Sequence, residues 1–208
     1  MSHFFKHRSH GFSLIELMVS IGIMAVLITV IIMNQQSYTE AATLRNTADD
    51  LGITIAEAQA YGIAVRERAI GSADFGSGYG LSVTLLEAGG QTGYVFFSDR
   101  NGNQYYDGSF ACATGGSEEC LRKVIFPGGA YVESFCILRS SGGDLCNNVS
   151  RVDISFRRPD PEARLIFFNS GGSQYNPANI SGALIQLKSP TGLTRQVKVY
   201  NTGQVSIQ

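Results

Sequence analysis

GFSLIELMVSIGIMAVLITVIIM, residues 11–33, is the stretch that decides the fold, and Glu16 is its only charged residue. As an α-helix, residues 12–33 would rise about 33 Å at roughly 1.5 Å per residue, which is enough to cross a hydrocarbon core of about 30 Å. The many Leu, Ile, Val and Phe side chains outweigh the cost of one carboxylate near the end of the segment. The stretch therefore predicts a membrane-spanning helix.

The residues in and around this span distinguish a secretory signal, a plain membrane anchor and a span with a further function. Residues 1–11 contain Lys6 and Arg8 and no acid, so the positive-inside rule places the N-terminus in the cytoplasm and the rest across the membrane. An ordinary secretory signal has a shorter apolar region that ends at small residues, unlike this one. A plain single-pass anchor needs only length and hydrophobicity, and it leaves Glu16 unexplained, since an intramembrane carboxylate is costly and marks a functional site.

The segment KHRSHGFSLIELM, residues 6–18, resembles the prepilin leader of type IV pilins and of the related pseudopilins of type II secretion. The resemblance implies that a prepilin peptidase cuts after Gly11 and methylates the new terminal amine on Phe12. It also implies that the Glu16 carboxylate attracts the terminal amine of a neighbouring subunit in a growing filament. The implied partners are identical or related pilin subunits, the peptidase, membrane lipid and an inner-membrane pilus assembly platform.

Composition gives no support for an enzyme. All three histidines (His3, His7 and His10) precede the predicted cut, so the mature chain would lack the commonest general base and metal ligand. No nucleotide-binding or nucleophile motif occurs. The carboxylate pairs Glu118-Glu119 and Asp160 with Glu162 lie in polar, turn-like segments, where solvated surface is the favoured interpretation.

Charge gives no general reason to bind nucleic acid either. Removing residues 1–11 leaves 14 basic and 17 acidic residues, a side-chain balance of −3. Four arginines come close together in sequence. We favour the interpretation that they are solvated residues at strand edges, and DNA binding is the alternative. They are Arg151, Arg157, Arg158 and Arg164.

Helix-forming residues continue past the span without proline, so residues 34–61 are predicted to extend the helix as an amphipathic half. Its apolar stripe recurs at steps of three and four and comprises Ala41, Leu44, Ala48, Leu51, Ile55 and Ala58. Gly62 is predicted to end the helix as a C-terminal cap. Packing of the stripe on the chain's own domain is favoured over a coiled coil, because it lasts barely three heptads.

Residues 62–208 read as a β-rich globular domain with short runs of period two between glycine-rich turns. The predicted fold class is α+β, a long N-terminal helix packed on an antiparallel sheet domain. Val197 to Ile207 forms the clearest hairpin, across Asn201-Thr202-Gly203. The order of elements resembles minor pilins and the H-type pseudopilin. The predicted strands are 63–66, 80–85, 94–98, 123–126, 131–138, 152–156, 164–168, 183–187, 195–200 and 204–207.

Four cysteines lie in the region expected outside the cytoplasm, where disulfides are the usual state. Three connectivities are possible, and loop closure mildly favours Cys112 with Cys120 and Cys136 with Cys146. A zinc site is the alternative, although no pair has the C-x₂-C spacing.

A calcium loop is predicted at residues 99–107, DRNGNQYYD. The residues with ligand spacing are Asp99, Asn101, Asn103, Tyr105 through its carbonyl, and Asp107. Gln104 and Phe110 depart from the pattern at positions six and twelve, so Glu118 or Glu119 would have to complete the site. The alternative is a type I′ hairpin turn at Asn101-Gly102.

Together these features predict a non-enzymatic, pilin-like subunit of an extracellular or periplasm-spanning filament. It would begin as a single-pass protein of the cytoplasmic membrane with its N-terminus inside. The alternatives are a type II secretion pseudopilin and a membrane-tethered binding module that does not polymerise.

Overall fold

The computed structural model describes residues 11–64, 76–112 and 119–208, and the leader residues 1–10 lie outside this range. One long α-helix, α1, spans Leu14–Ile63. Within the described residues ten strands follow it, which confirms the α+β class. They are β1 Gly78–Thr84, β2 Gly93–Asp99, β3 Cys120–Ile125, β4 Tyr131–Arg139, β5 Arg151–Arg157, β6 Asp160–Phe168, β7 Gln174–Tyr175, β8 Ile180–Lys188, β9 Thr194–Tyr200 and β10 Val205–Ile207.

The strands form two antiparallel sheets. The larger sheet has the order β3-β2-β1-β5-β6-β7, and the smaller has the order β10-β9-β8-β4. The predicted C-terminal hairpin is present, with Val205 opposite Val199 and Ile207 opposite Val197. Its turn places Gly203 at φ 83°, a left-handed conformation that glycine adopts without steric cost.

The chain divides into two compact units, with the boundary between Thr39 and Glu40. In the second unit, the buried face of α1 joins both sheets in one hydrophobic core. Leu51 and Ile55 are fully buried, as are Leu81 of β1 and Ile185 of β8. The predicted stripe is thus buried from Leu44 to Ala58, whereas Ala41 is exposed. Burial of this stripe is the main stabilising interaction of the helix in this unit.

The predicted helix end was wrong. Gly62 lies inside α1, and the first predicted strand is wrong at Ile63, which is the last helical residue; Val65 and Arg66 lie outside the described residues. A Cβ at Gly62 would stand 2.5 Å from the carbonyl oxygen of Phe156. The glycine therefore permits close approach of helix and strand, and it does not cap the helix.

The remaining nine predicted strands coincide with β1–β6 and β8–β10, with ends that differ by up to four residues. β7 was not predicted, because two residues carry no periodicity. Cys112 is bonded to Cys120, and Cys136 to Cys146, which are the pairs that short loops favour. Leu145 pairs with Ile137, so the second disulfide loop folds back along β4.

Candidate functional site

The predicted cleavage junction lies just before the helix. Gly11, Phe12 and Ser13 precede α1, which begins at Leu14. Phe12 is 78 % exposed, and among the described residues no atom beyond the chain neighbours of Gly11 lies within 4 Å of a Cβ built on that glycine. The Gly11–Phe12 peptide bond is therefore accessible and lies outside the regular hydrogen bonding of the helix.

Ser13 and Glu16 contact each other at the start of α1. The Ser13 Oγ accepts a hydrogen bond from the Glu16 backbone N–H at 3.3 Å, and Glu16 Oε2 lies 3.5 Å from the Ser13 backbone nitrogen, at the long end for a hydrogen bond. This reciprocal arrangement is a capping box, with Ser13 as the N-cap and Glu16 three residues later. The Glu16 carboxylate is consequently held beside the N-terminus of the helix, the end that favours negative charge.

The residues that follow form an exposed apolar helix. Leu14–Ile32 is long and apolar enough to cross a membrane, with a mean hydropathy of 2.6 and no buried residue. Two hydroxyls in it are satisfied internally, since Ser20 Oγ donates to the Glu16 carbonyl and Thr29 Oγ1 to the Ala25 carbonyl, each at 2.8 Å. Such internal bonding is what a polar side chain requires in lipid.

The predicted calcium residues come together in one loop. Asp99 is 2 % exposed, and its carboxylate accepts the N–H groups of Gly102 at 2.7 Å and Gln104 at 3.0 Å. The side-chain amides of Asn101 and Asn103 donate to Asp107 Oδ2 at 2.6 and 2.7 Å. The alternative hairpin turn is wrong, because Gly102 has a positive φ and Asn101 does not, and a type I′ turn needs both.

Tyr105, the carbonyl ligand of the predicted site, is held in the same loop. Its backbone N–H donates to Asn103 Oδ1 at 3.1 Å, and its ring packs edge to face against Phe168, with centroids 5.6 Å apart. Two successive Asx-type bonds, Asn101 to the Asn103 N–H and Asn103 to the Tyr105 N–H, therefore shape the loop backbone.

Two buried carboxylates, Glu119 and Asp153, also hold this loop, and the sequence analysis missed the second. It gave Glu119 two interpretations, as solvated surface and as a residue that could complete the calcium site, and Glu119 is 4 % exposed. It accepts the N–H of Arg100 at 3.1 Å and that of Asp107 at 3.0 Å. Burial raises the pKa of Glu119, an effect that these two hydrogen bonds oppose and that the nearby charges of Asp107 and Asp99 reinforce. Its partner in the predicted pair, Glu118, lies outside the described residues.

Strand β5 holds the same loop through three alternate residues, Arg151, Asp153 and Ser155. We call these three residues, together with Glu119, the clamp. Asp153 is fully buried and accepts the Tyr106 N–H at 3.0 Å. Arg151 donates from Nε to Asp153 Oδ1 at 2.9 Å and from Nη2 to the Tyr106 carbonyl, and Ser155 Oγ donates to the Gln104 carbonyl at 2.8 Å. The Glu119 and Asp153 carboxylates thus accept hydrogen bonds from backbone N–H groups and from one guanidinium, an arrangement that fixes the loop.

One of the four arginines considered for DNA binding belongs to this clamp. Arg151 forms an ion pair with Asp153 and stacks on Phe168, with its guanidinium carbon 4.5 Å from the ring centroid. Arg157 and Arg164 are exposed. The four arginines, although close in sequence, therefore do not form one basic surface that faces solvent.

Comparison with known proteins bears on the N-terminal segment. Residues 6–32 match the family model described as the prokaryotic N-terminal methylation motif. No curated protein and no solved structure matches the chain. The chain carries a prepilin leader.

The prepilin motif indicates a pilin-like or pseudopilin subunit, which is a structural protein. It implies processing by a prepilin peptidase and assembly with other pilin subunits, and the apolar helix that follows indicates membrane anchoring. The matched residues include Gly11, Phe12 and Glu16, so the described junction and the capping box lie within the motif.

Calcium binding by the loop at residues 99–107 stays a prediction. Among residues 11–64, 76–112 and 119–208, no three His, Cys, Asp or Glu side chains are grouped to hold a metal. A site here would need the Asn101 and Asn103 amides to turn their oxygens toward Asp107, since they now present nitrogen.

We expect millimolar calcium to raise the thermal midpoint of residues 35–208 by a few degrees relative to chelator, by binding the folded state alone. Asp107→Ala should abolish the rise, because it removes the exposed carboxylate that faces both amides. Asp160→Ala, an exposed acid on β6, is the matched control and should preserve it. Equal midpoints of the unaltered protein in calcium and in chelator would argue against the site.

Proposed function

We propose that the protein is a pilin-like filament subunit that is cleaved after Gly11, N-methylated on Phe12 and polymerised. One observation carries the proposal: the methylation motif at residues 6–32 coincides with the exposed apolar segment Leu14–Ile32 of α1, whose only charged residue is Glu16. A plain anchor would need neither the glycine nor the acid. The motif supports the subunit class, and polymerisation follows from the role that the acid would then have.

The chemistry of maturation produces a cation at the helix start. Hydrolysis breaks the bond between the Gly11 carbonyl carbon and the Phe12 nitrogen, and water supplies hydroxyl to the first and a proton to the second. A sulfonium methyl donor then transfers a methyl group to the amine, which releases a proton. The product remains basic, so Phe12 of the mature chain carries a positive charge at neutral pH.

Glu16 offers the complementary charge. Two unit charges 4 Å apart attract by about 4 kcal/mol at an effective dielectric constant near 20, and by more in a drier environment. A carboxylate exposed on the side of the helix can therefore draw in the amine of another subunit. The attraction also offsets the cost of keeping Glu16 in an apolar surrounding.

The proposed location follows from the same segment. The subunit would stay in the cytoplasmic membrane with its N-terminus inside until it enters a filament that is extracellular or spans the periplasm. The two disulfides of the β domain fit an oxidising compartment. A type II secretion pseudopilin has the same leader, and surface fibres seen by electron microscopy with a label on the domain would separate it from a pilin.

Intact-mass and N-terminal peptide analysis tests the processing. The mature protein is expected to begin at Phe12 and to carry one methyl group on its amine. The Gly11→Leu variant is the control and should retain the leader, because a bulky side chain replaces the residue at the cut. A wild-type chain that begins at Met1 or Ser2 would contradict the proposed function.

A further inference from the structure

We propose that Ser13 is a positioning residue for cleavage: by capping α1, it keeps the Gly11–Phe12 bond in non-helical chain. This inference rests on the proposed cleavage after Gly11. Ser13 is the second residue after the cut. It is not part of the scissile bond, and it carries neither of the two charges proposed to act in assembly. Its role would be indirect, through the backbone conformation at the start of the helix.

The contacts place the helix boundary at this residue. Ser13 Oγ accepts the Glu16 N–H at 3.3 Å, and the Ser13 carbonyl accepts the Leu17 N–H at 3.2 Å as the first bond of the helix. An N-cap residue has extended backbone angles while its carbonyl already belongs to the helix. The hydroxyl thus takes the place of one more turn of helix, and residues 11–13 stay outside the helix.

An apolar environment makes this cap important. Backbone N–H groups in lipid must find partners, and a helix without a cap can satisfy them by growing toward its N-terminus. Nothing in Phe12 or Gly11 prevents this, since neither is proline and neither side is crowded. The Gly11 carbonyl would then accept the N–H of residue 15, which removes it from hydrolytic attack. The cap blocks that extension.

Ser13 and Glu16 have separable effects in this arrangement. The cap acceptor is the Ser13 hydroxyl, and its donor is the backbone of residue 16, which persists in any variant there. The reverse contact from the Glu16 carboxylate is the longer one, at 3.5 Å. Loss of the Ser13 hydroxyl should therefore slow cleavage, whereas loss of the Glu16 carboxylate should leave cleavage normal and impair assembly.

The test is the initial rate of cleavage of the full-length precursor, in detergent, by membranes containing the cell's prepilin peptidase. At low precursor concentration this rate reports kcat/KM. Ser13→Ala should be cleaved about two- to thirtyfold more slowly, the range of equilibrium constants that loss of a serine cap covers. Ser13→Asp and Ser13→Thr should restore the rate, because both side chains can cap.

Two further measurements separate capping from direct recognition of serine. Ser20→Ala removes a hydroxyl from the same helix, one that bonds the Glu16 carbonyl and caps nothing, and it should be cleaved at the wild-type rate. Hydrogen exchange of the full-length precursor in detergent should show slower exchange of the amide protons within residues 12–16 in Ser13→Ala, because the helix has extended.

Two results would overturn the inference while leaving the proposed function intact. The first is equal cleavage of Ser13→Ala and wild type, and the second is a slow Ser13→Ala with unchanged hydrogen exchange. A wild-type precursor that is never cut after Gly11 would instead remove the proposed function, so the two failures are distinguishable.

Discussion

Glu16→Ala is expected to reduce incorporation into filaments to less than a tenth of the wild-type level, while insertion and cleavage stay normal. The substitution removes an attraction of about 4 kcal/mol toward the amine of a neighbouring subunit. It also removes the cost of a carboxylate in lipid, so membrane insertion should improve slightly. Co-expression of differently tagged wild-type and variant subunits, followed by purification of filaments, measures the ratio directly.

Glu16→Gln is the matched variant for charge. Glutamine keeps the length of the side chain and can replace glutamate in a capping box, but it carries no charge. If charge positions the subunit, Glu16→Gln should be lost from filaments as strongly as Glu16→Ala. Incorporation of Glu16→Gln at the wild-type level would assign the role to the hydrogen bonds of Glu16, and equal incorporation of both variants would refute a role in assembly.

The N-terminal helix was predictable because its information is local. An uninterrupted apolar stretch with one acid gives both the helix and its environment, and the stripe from Leu44 to Ala58 gives its buried face. The terminal hairpin was also predictable, because apolar and polar residues alternate in both strands and a turn that contains Gly203 lies between them. No long-range contact had to be known in either case.

The clamp on residues 100–107 was not predictable in the same way. Strand β5 alternates between Val152, Ile154 and Phe156 on one face and Asp153 and Ser155 on the other. That pattern indicates a solvated second face. The face is instead covered by a loop about 50 residues earlier in the sequence, whose backbone N–H groups satisfy the acids. Sequence alternation separates two faces but cannot say what covers them.

Gly62 illustrates a related limit. The sequence correctly marks the position as one that needs glycine, and the helix does end one residue later. The reason lies in the carbonyl of Phe156, which approaches too closely for any Cβ. A contact made by a strand about ninety residues away is invisible to local rules for helix ends.

Asp153→Ala is expected to lower the free energy of unfolding of residues 35–208 by about 3–5 kcal/mol. Asp153 has no exposed surface, and its removal leaves the half-buried Arg151 guanidinium without its carboxylate and the Tyr106 N–H without an acceptor. Both groups then pay for desolvation with no compensating bond. Urea unfolding with the disulfides intact measures the change from the midpoint and slope.

The control and the double variant separate charge burial from general damage. Asp160→Ala, on an exposed stretch of the neighbouring strand, should change the free energy of unfolding by no more than about 0.5 kcal/mol. Arg151→Met combined with Asp153→Leu should recover part of the loss, because it removes both charges rather than isolating one. If Asp153→Ala cost no more than Asp160→Ala, the clamp would not hold the loop. If the double variant were less stable than Asp153→Ala, the guanidinium would stabilise the fold through Phe168 and the Tyr106 carbonyl even without its acid.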